Sequence, residues 1–95
     1  MNLRKAARDR DCQMRIPRIC NFDSSTTVLA HLRRGSVAGM GQKPPDTCAV
    51  LACSACHDAI DRRDNMGAYT PVEMDTMILD GLCRTLWIWD NEGFL

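Results

Sequence analysis

The sequence predicts a small α+β domain that is stabilised by a bound zinc ion and covered by a C-terminal helix. Four cysteines form two separated pairs, Cys12 with Cys20 and Cys53 with Cys56, and thiolates are common ligands of structural zinc. The 95 residues suit a single domain (1–95), and the aromatic fraction of only 5% predicts a small core that a metal ion would supplement. Two short apolar segments and a helical segment complete the pattern.

The first third of the chain is expected to form a short helix or basic arm, a loop and a strand. Small apolar residues recur among the arginines of residues 3–10, which favours a short helix there. Pro17 excludes a regular helix between Cys12 and Cys20, so this cysteine pair is expected on a loop. Residues 26–32 are β-branched and apolar, which predicts a strand that ends near His31.

The second cysteine pair is expected at a turn from strand to helix. Residues 35–46 contain three glycines and two consecutive prolines, which predict a loop. Residues 49–52 predict a second strand, and Ser54 is a suitable N-cap for a helix that runs to about Arg63. The zinc-binding unit is therefore expected to span residues 12–63.

A C-terminal helix is predicted over residues 70–92. Thr70, Pro71 and Glu73 form the pattern of a capping box with proline at the first helical position. Apolar residues then recur at three- and four-residue spacing, which suits either the core or a dimer seam. They are Met74, Met77, Ile78, Cys83, Leu86 and Trp87.

A reducing compartment favours metal binding over disulfide bonds for the paired thiols. Charges extend from Arg4 to Arg10 and no apolar segment follows them, so we expect no signal peptide, no membrane association and a cytoplasmic location. Cys48 and Cys83 belong to neither pair and are expected to be buried small apolar residues.

Other chemistries remain open for the cysteines. Residues 53–57 also match the Cys-x-x-Cys-His signature of c-type haem attachment, although haem leaves Cys12 and Cys20 unexplained. A thioredoxin-like redox pair requires a βαβ setting, which the sequence lacks, and four thiols can also hold an iron–sulfur cluster. Zinc is the preferred interpretation for two separated cysteine pairs.

The charges are unevenly distributed although the net charge is zero. Residues 1–34 hold eight basic and three acidic side chains, whereas residues 70–95 hold one basic and five acidic side chains. A polyanion at the basic end would explain this polarity, and two ordinary solvated faces are the alternative.

The two histidines predict a second, reactive site. His57 and Asp61 are four residues apart on one predicted helix, so their side chains can bind one divalent cation. A neutral His31 near a metal-bound phosphate would accept a proton from water. The alternatives are that His57 caps the helix, packs or serves as a zinc ligand, and that His31 is a core histidine.

Two sets of motifs resemble known nucleases. The order of Cys12, Cys20, Ala-His-Leu-Arg at 30–33, a Gly/Pro loop and Leu-Ala-Cys-Ser-Ala-Cys-His at 51–57 resembles zinc-bound HNH endonucleases. The resemblance implies their ββα-metal, treble-clef-like fold. The chain is also similar, over nearly its whole length, to the small YbcO-like nucleases of lambdoid phages and prophages. The matching motifs lie at residues 3–8, 43–46, 52–58, 60–63, 84–85 and 88–89.

The HNH resemblance implies a role for each candidate residue. His31 would be the general base, His57 would bind a catalytic divalent ion such as Mg²⁺, Mn²⁺ or Ni²⁺, and the paired cysteines would bind structural zinc. The sequence departs from the HNH pattern at Ala30, where many members have a metal ligand, and in the missing middle Asn. Asp46 lies nearest that position and is expected to orient the base or bind metal, while Asp61 supplies a carboxylate.

The combined prediction is a metal-dependent endonuclease that hydrolyses DNA phosphodiester bonds. The resemblance implies a role in phage recombination or DNA processing, with recombination or packaging proteins as partners. Arginines that flank the site are expected to bind the sugar–phosphate backbone, or else to be ordinary surface charges. They are Arg33, Arg34, Arg62 and Arg63. The alternatives are a non-catalytic zinc-dependent DNA- or protein-binding module, and a redox protein that oxidises Cys53 and Cys56 reversibly.

Overall fold

The computed structural model describes residues 2–33, 44–62 and 69–95, without the side chain of Arg62. These residues form a small α+β structure of three helices around a two-stranded sheet. In chain order they are α1 (Leu3–Ala6), a 3₁₀ turn (Ser24–Thr26), β1 (Val28–His31), β2 (Ala49–Ala52), α2 (Ser54–Arg62) and α3 (Pro71–Asn91).

The sheet is antiparallel and buries both of its faces. Val28 pairs with Ala52, and His31 pairs with Ala49. Because side chains alternate along a strand, the two faces belong to two core clusters. Leu29, Ala49 and Leu51 pack with Leu3, Ala7 and Trp89, whereas Ala30, Val50 and Ala52 pack with the paired cysteines, Ala59, Met74 and Ile78.

The outer edge of β2 is closed by groups from distant parts of the chain. The Leu51 amide donates to Thr85 Oγ1 at 3.1 Å, and the Leu51 carbonyl accepts from the Gln13 amide at 2.8 Å. The buried Thr85 hydroxyl in turn donates to the Gly81 carbonyl at 2.8 Å. The backbone groups of Leu51 that point away from β1 are therefore both satisfied, as buried backbone groups require.

The segment between Cys12 and Cys20 is an irregular loop, as Pro17 predicts. Arg15 and Arg18 adopt left-handed backbone conformations, with φ of 49° and 69°. The buried Met14 and Ile16 side chains anchor the loop to the core on the cysteine side of the sheet.

Helix α2 begins at Ser54, the residue that was predicted to be its N-cap, and so starts one residue earlier than predicted. Ser54 is its first helical residue, and the Cys53 sulfur takes the capping position by accepting from the Cys56 amide at 3.4 Å. The Ser54 hydroxyl instead accepts a hydrogen bond from Asn21 Nδ2 at 3.0 Å, which ties the helix to the loop after Cys20.

Helix α3 has the predicted capping box but buries a different face from the one predicted. The Thr70 hydroxyl accepts from the Glu73 amide at 3.1 Å, and the Glu73 carboxylate accepts from the Thr70 amide at 2.8 Å. The buried positions are Met74, Ile78, Gly81, Thr85 and Trp89, so the Met74 end of the stripe belongs to the core.

The prediction that Cys83 and Trp87 belong to the core stripe is wrong. Cys83 is exposed, and 68% of Trp87 is exposed. The buried face of α3 includes Gly81 and Thr85, and a search for large apolar residues at helical spacing therefore misses this face. Gly81 permits a close approach to the loop, since a Cβ atom there would lie 2.7 Å from the Met14 sulfur. Cys48 is half-buried, and its thiol donates to the Leu32 carbonyl at 3.4 Å.

None of the helices in the described part of the chain combines the length and hydrophobicity that a bilayer crossing requires.

Candidate metal centre and active-site cleft

The four paired cysteines converge on one point. Cys12 and Cys20 come from the irregular loop, Cys53 from the end of β2, and Cys56 from the first turn of α2. Their sulfur atoms all lie within 4.8 Å of one another, and all but the half-buried Cys20 are buried. None of the four is in a disulfide bond. The structure therefore brings together the thiols that the sequence predicts as one ligand set.

The spacing of the sulfurs fits a tetrahedral metal ion. The Cys20 and Cys53 sulfurs are 3.8 Å apart, far beyond the roughly 2.05 Å of a disulfide bond. Bonds of about 2.3 Å from a tetrahedral zinc ion to its thiolates place the sulfurs roughly 3.8 Å from one another. The donor number, donor type and spacing all suit a closed four-thiolate metal site.

The close packing of the thiols also makes them electrostatically interdependent. Cys12 accepts a hydrogen bond from Cys56, which lowers the pKa of Cys12 to about 4. The same contact, together with burial, raises the pKa of Cys56 far above its ordinary value, and burial raises the pKa of Cys20 to about 11. One thiolate forms readily while further thiolates are disfavoured, and a cation bound among them would offset that repulsion.

Beside this cluster lies a cleft that contains both histidines. The cleft has a volume of about 490 Å³. His31 reaches it from the end of β1, and His57 and Asp61 reach it from α2. The remaining lining residues are Arg4, Arg8, Val28, Leu29 and Arg33. Because α2 follows directly after β2, the pairing of β2 with β1 brings the two histidines to the same cleft.

Asp46 holds the ring of His31. The Oδ1 atom of Asp46 lies 2.8 Å from His31 Nε2, and the Arg4 Nε atom lies 3.3 Å from the same oxygen. The hydrogen bond with His31 lowers the pKa of Asp46 below its ordinary value, and Arg4 adds to that effect. An ionised carboxylate only accepts hydrogen bonds, so Nε2 of His31 carries the proton. The lone pair of a neutral His31 is then on Nδ1, where it can accept a proton.

His57 and Asp61 form a second pair. The His57 Nε2 atom lies 3.1 Å from Asp61 Oδ2, across one turn of α2. One nitrogen and one carboxylate oxygen at this separation can bind the same divalent cation. Within residues 2–33, 44–62 and 69–95, the four thiols are the only group of three or more candidate ligands whose donor atoms lie within 4.8 Å of one another. A cation at His57 and Asp61 would therefore need water or substrate to complete its coordination.

The arginines around the cleft differ in part from those predicted. Arg33 lines the cleft. Arg34, Arg63 and the side chain of Arg62 lie outside the described part of the structure. Arg4 and Arg8 also line the cleft and are not among the arginines predicted from the sequence. The excess of basic residues in the first third of the chain was the available signal, and it did not show that α1 lies beside the histidines.

The fold and the site define a small α+β protein with a four-thiol cluster next to a cleft of histidines, carboxylates and arginines. The family described as "Putative nuclease YbcO" matches residues 1–94, and the chain belongs to this family.

Two relatives and one solved structure are similar over nearly the whole chain. "Putative nuclease YbcO" of Escherichia coli (strain K12) is 49% identical over 96 residues, covering 99% of this chain and 96% of the relative. "Putative nuclease ybcO" of Enterobacteria phage 82 has the same identity and coverage. A solved structure of a putative bacteriophage protein from Escherichia coli str. K-12 substr. MG1655 superposes with a TM-score of 0.78 at 46% identity. That match covers 97% of this chain and 100% of the solved chain.

Proposed function

We propose that the chain is a metal-dependent endonuclease of the HNH (ββα-metal) type that hydrolyses DNA phosphodiester bonds. The observation that carries this proposal is that His31, held by Asp46, and the His57–Asp61 pair line one cleft beside the thiol cluster. The family description as a nuclease and the likeness to a phage protein support it. We further propose that the chain acts in phage recombination or DNA processing, with phage recombination or packaging proteins as partners, in the cytoplasm of the host.

The four thiols are proposed to hold a structural zinc ion. The short β2 strand and the loop from Cys12 to Cys20 are small elements, and a shared ion would connect them to the start of α2. Zinc suits this role because it prefers tetrahedral thiolate sites and has no redox chemistry of its own.

The proposed reaction uses His31 as the general base. Nδ1 of His31 accepts a proton from water, and the water oxygen forms a bond to phosphorus while the bond from phosphorus to the 3′ oxygen breaks. Asp46 holds the ring and stabilises the imidazolium that results. His57 and Asp61 would bind a divalent cation such as Mg²⁺, Mn²⁺ or Ni²⁺, which supplies charge stabilisation for the phosphate and the leaving oxygen. The departing 3′ oxygen takes its proton from solvent.

A plasmid-nicking assay with Mg²⁺, Mn²⁺ or Ni²⁺ tests the proposal. We expect His31→Ala to lower the cleavage rate by about 10²- to 10⁴-fold, the usual contribution of a general base. His31→Ala should keep the metal content and circular dichroism spectrum of the parent protein. Cleavage that is unchanged in His31→Ala would exclude His31 as the base.

The second candidate is a non-catalytic zinc-dependent module that binds DNA or protein. The observation that favours it is the small number of metal ligands at the histidine cleft. Ala30 is buried and offers no ligand, and within residues 2–33, 44–62 and 69–95 no third donor joins His57 and Asp61 in a group within 4.8 Å. If the protein binds DNA but cleaves it with none of the three cations, this candidate is supported and the enzyme is excluded.

A further inference from the structure

We propose that Arg4 of α1 and Arg8, which lies just after the end of α1, form a phosphate-binding arm at the cleft, a role that rests on DNA being the ligand as proposed above. Both side chains line the same cleft as His31 and His57, and both are exposed. Arg4 lies in α1 and Arg8 lies two residues after its end, and both side chains face the same cleft. The arm therefore places two positive charges in the same cleft as the two histidines.

The position of the arm is determined by the core, although α1 has only four residues. Leu3 and Ala7 are buried against Leu29, Leu51 and Trp89. The Asn2 side chain also accepts a hydrogen bond from the Lys5 amide, which caps the helix. Because α1 is anchored in this way, Arg4 and Arg8 do not belong to a freely moving terminal tail.

The two guanidinium groups have donors available for a ligand. Arg4 uses Nε to contact Asp46, and its two terminal nitrogens have no acceptor among the residues that the structure describes. The Arg8 side chain likewise forms no ion pair within residues 2–33, 44–62 and 69–95. Guanidinium groups bind phosphate oxygens through two parallel hydrogen bonds, which is the contact that these free donors permit.

Arg4 has a second task that Arg8 lacks. Its Nε shares the Asp46 Oδ1 atom with His31 Nε2, so Arg4 can hold the carboxylate that orients His31 while its other nitrogens contact a phosphate. A phosphate bound by Arg4 would lie close to His31. Arg8 is one turn further along the chain and would contact a neighbouring phosphate of the same backbone. This arrangement positions DNA without reading its sequence.

Fluorescence anisotropy with a labelled 20-base-pair DNA duplex tests the arm without any cleavage step. Binding is measured over a range of salt concentrations, with no divalent cation added. Each lost phosphate contact should reduce the slope of log K against log salt by about 0.9, which corresponds to roughly an 8-fold loss of affinity at 0.1 M salt. We expect this change for Arg4→Ala and for Arg8→Ala, and about twice this change for the double variant.

Lys5→Ala is the matched control, because Lys5 is an exposed cation on the same helix that does not line the cleft. It should leave the slope near that of the parent protein. Arg8→Lys should retain most of the slope, since the charge remains, whereas a merely structural role for Arg8 would show in the thermal unfolding midpoint and not in the slope.

The possible results distinguish a failure of the phosphate-binding arm from a failure of the proposed nuclease activity. An unchanged slope in the Arg4→Ala, Arg8→Ala double variant overturns the arm even if the parent protein cleaves DNA in a His31-dependent manner. A parent protein that does not bind the duplex at low salt also overturns it. A reduced slope in a protein that never cleaves DNA supports the arm and excludes the enzyme.

Discussion

Asp46 joins two parts of the cleft, because its Oδ1 atom contacts both His31 Nε2 and Arg4 Nε. The three residues are distant in sequence. Arg4 lies in the four-residue helix α1, His31 ends β1, and Asp46 lies outside regular secondary structure. The orientation of a candidate base therefore depends on one half-buried carboxylate outside regular secondary structure.

We predict that Asp46→Asn lowers the cleavage rate by about 10- to 100-fold, less than loss of the base itself. The pKa of Asp46 is lowered, so its carboxylate is ionised at neutral pH and is protonated only below its ordinary range. The difference between parent and variant should thus be present at pH 7 and at every higher pH at which the parent protein cleaves DNA, because the carboxylate stays ionised there. Rate measurements over this pH range check the prediction.

Asp9→Asn is the matched control for Asp46→Asn. Asp9 is an exposed carboxylate whose left-handed backbone conformation asparagine tolerates, and it does not line the cleft. Equal rates for parent and Asp9→Asn are expected. Equal rates for parent and Asp46→Asn would remove Asp46 from the proposed mechanism.

Helix α3 is positioned against the sheet by small and polar residues as well as by apolar ones. Thr85 connects it to β2 through the Leu51 amide, and Gly81 allows it to approach the loop at Met14. A sheet of only two strands leaves an outer edge on each strand, and α3 together with Gln13 closes one of them.

We predict that Thr85→Val destabilises the fold by about 1–3 kcal/mol, because valine matches threonine in shape but leaves the buried Leu51 amide without an acceptor. Urea unfolding measures the change. Thr76→Val on the exposed side of the same helix is the control, and its effect should be within about 0.5 kcal/mol. Equal effects of the two substitutions would show that the contact between Thr85 and Leu51 contributes nothing specific.

At the scale of the whole molecule, the thiol cluster connects a loop, a strand and a helix that share little other regular structure. Metal binding at such a cluster is coupled to folding, since the ligands are brought together only in the folded chain. The stability of this half of the protein is therefore expected to depend on a bound ion.

We predict that the purified protein contains about one zinc ion per chain and that Cys53→Ser removes most of it and lowers the thermal unfolding midpoint. Cys83→Ser is the control, since this exposed cysteine on α3 is outside the cluster. Elemental analysis and thermal unfolding measure both effects. A metal-free parent protein with a reversible Cys53–Cys56 disulfide bond would instead indicate a redox protein.

The two ends of the described chain are held together by Arg10 and Glu92. Arg10 donates two hydrogen bonds to the Glu92 carboxylate and lies over the ring of Trp89, 4.9 Å from its centre. The ion pair lowers the pKa of Glu92 below its ordinary value of 4.5. A carboxylate with a lowered pKa contributes stability above that ordinary value, and the contribution is lost as the pH falls through the pKa of the folded state.

We predict that Glu92→Gln lowers the urea midpoint at pH 7 and that the difference from the parent protein shrinks as the pH falls below 4.5. Asp90→Asn is the control, because the Asp90 side chain has no cationic partner among the described residues. A difference that persists unchanged at pH 2 would show that the effect of Glu92 is not electrostatic.

The sequence by itself determined the features that depend on local signals. The two cysteine pairs, the loop that Pro17 requires, the capping box at Thr70 and the i,i+4 relation of His57 and Asp61 are all encoded within a few residues, and the structure contains each of them. Residue types at short spacing restrict backbone conformation and side-chain direction, so these features can be predicted without knowledge of the fold.

Only the tertiary structure decided which surfaces and side chains meet. It placed Arg4 and Arg8 beside the histidines, paired Asp46 with His31, and turned Gly81 and Thr85 of α3 toward the core while Trp87 remained exposed. These contacts join residues that are far apart along the chain. Their free energy comes from packing and from the pairing of buried polar groups, and neither composition nor periodicity reports on those terms.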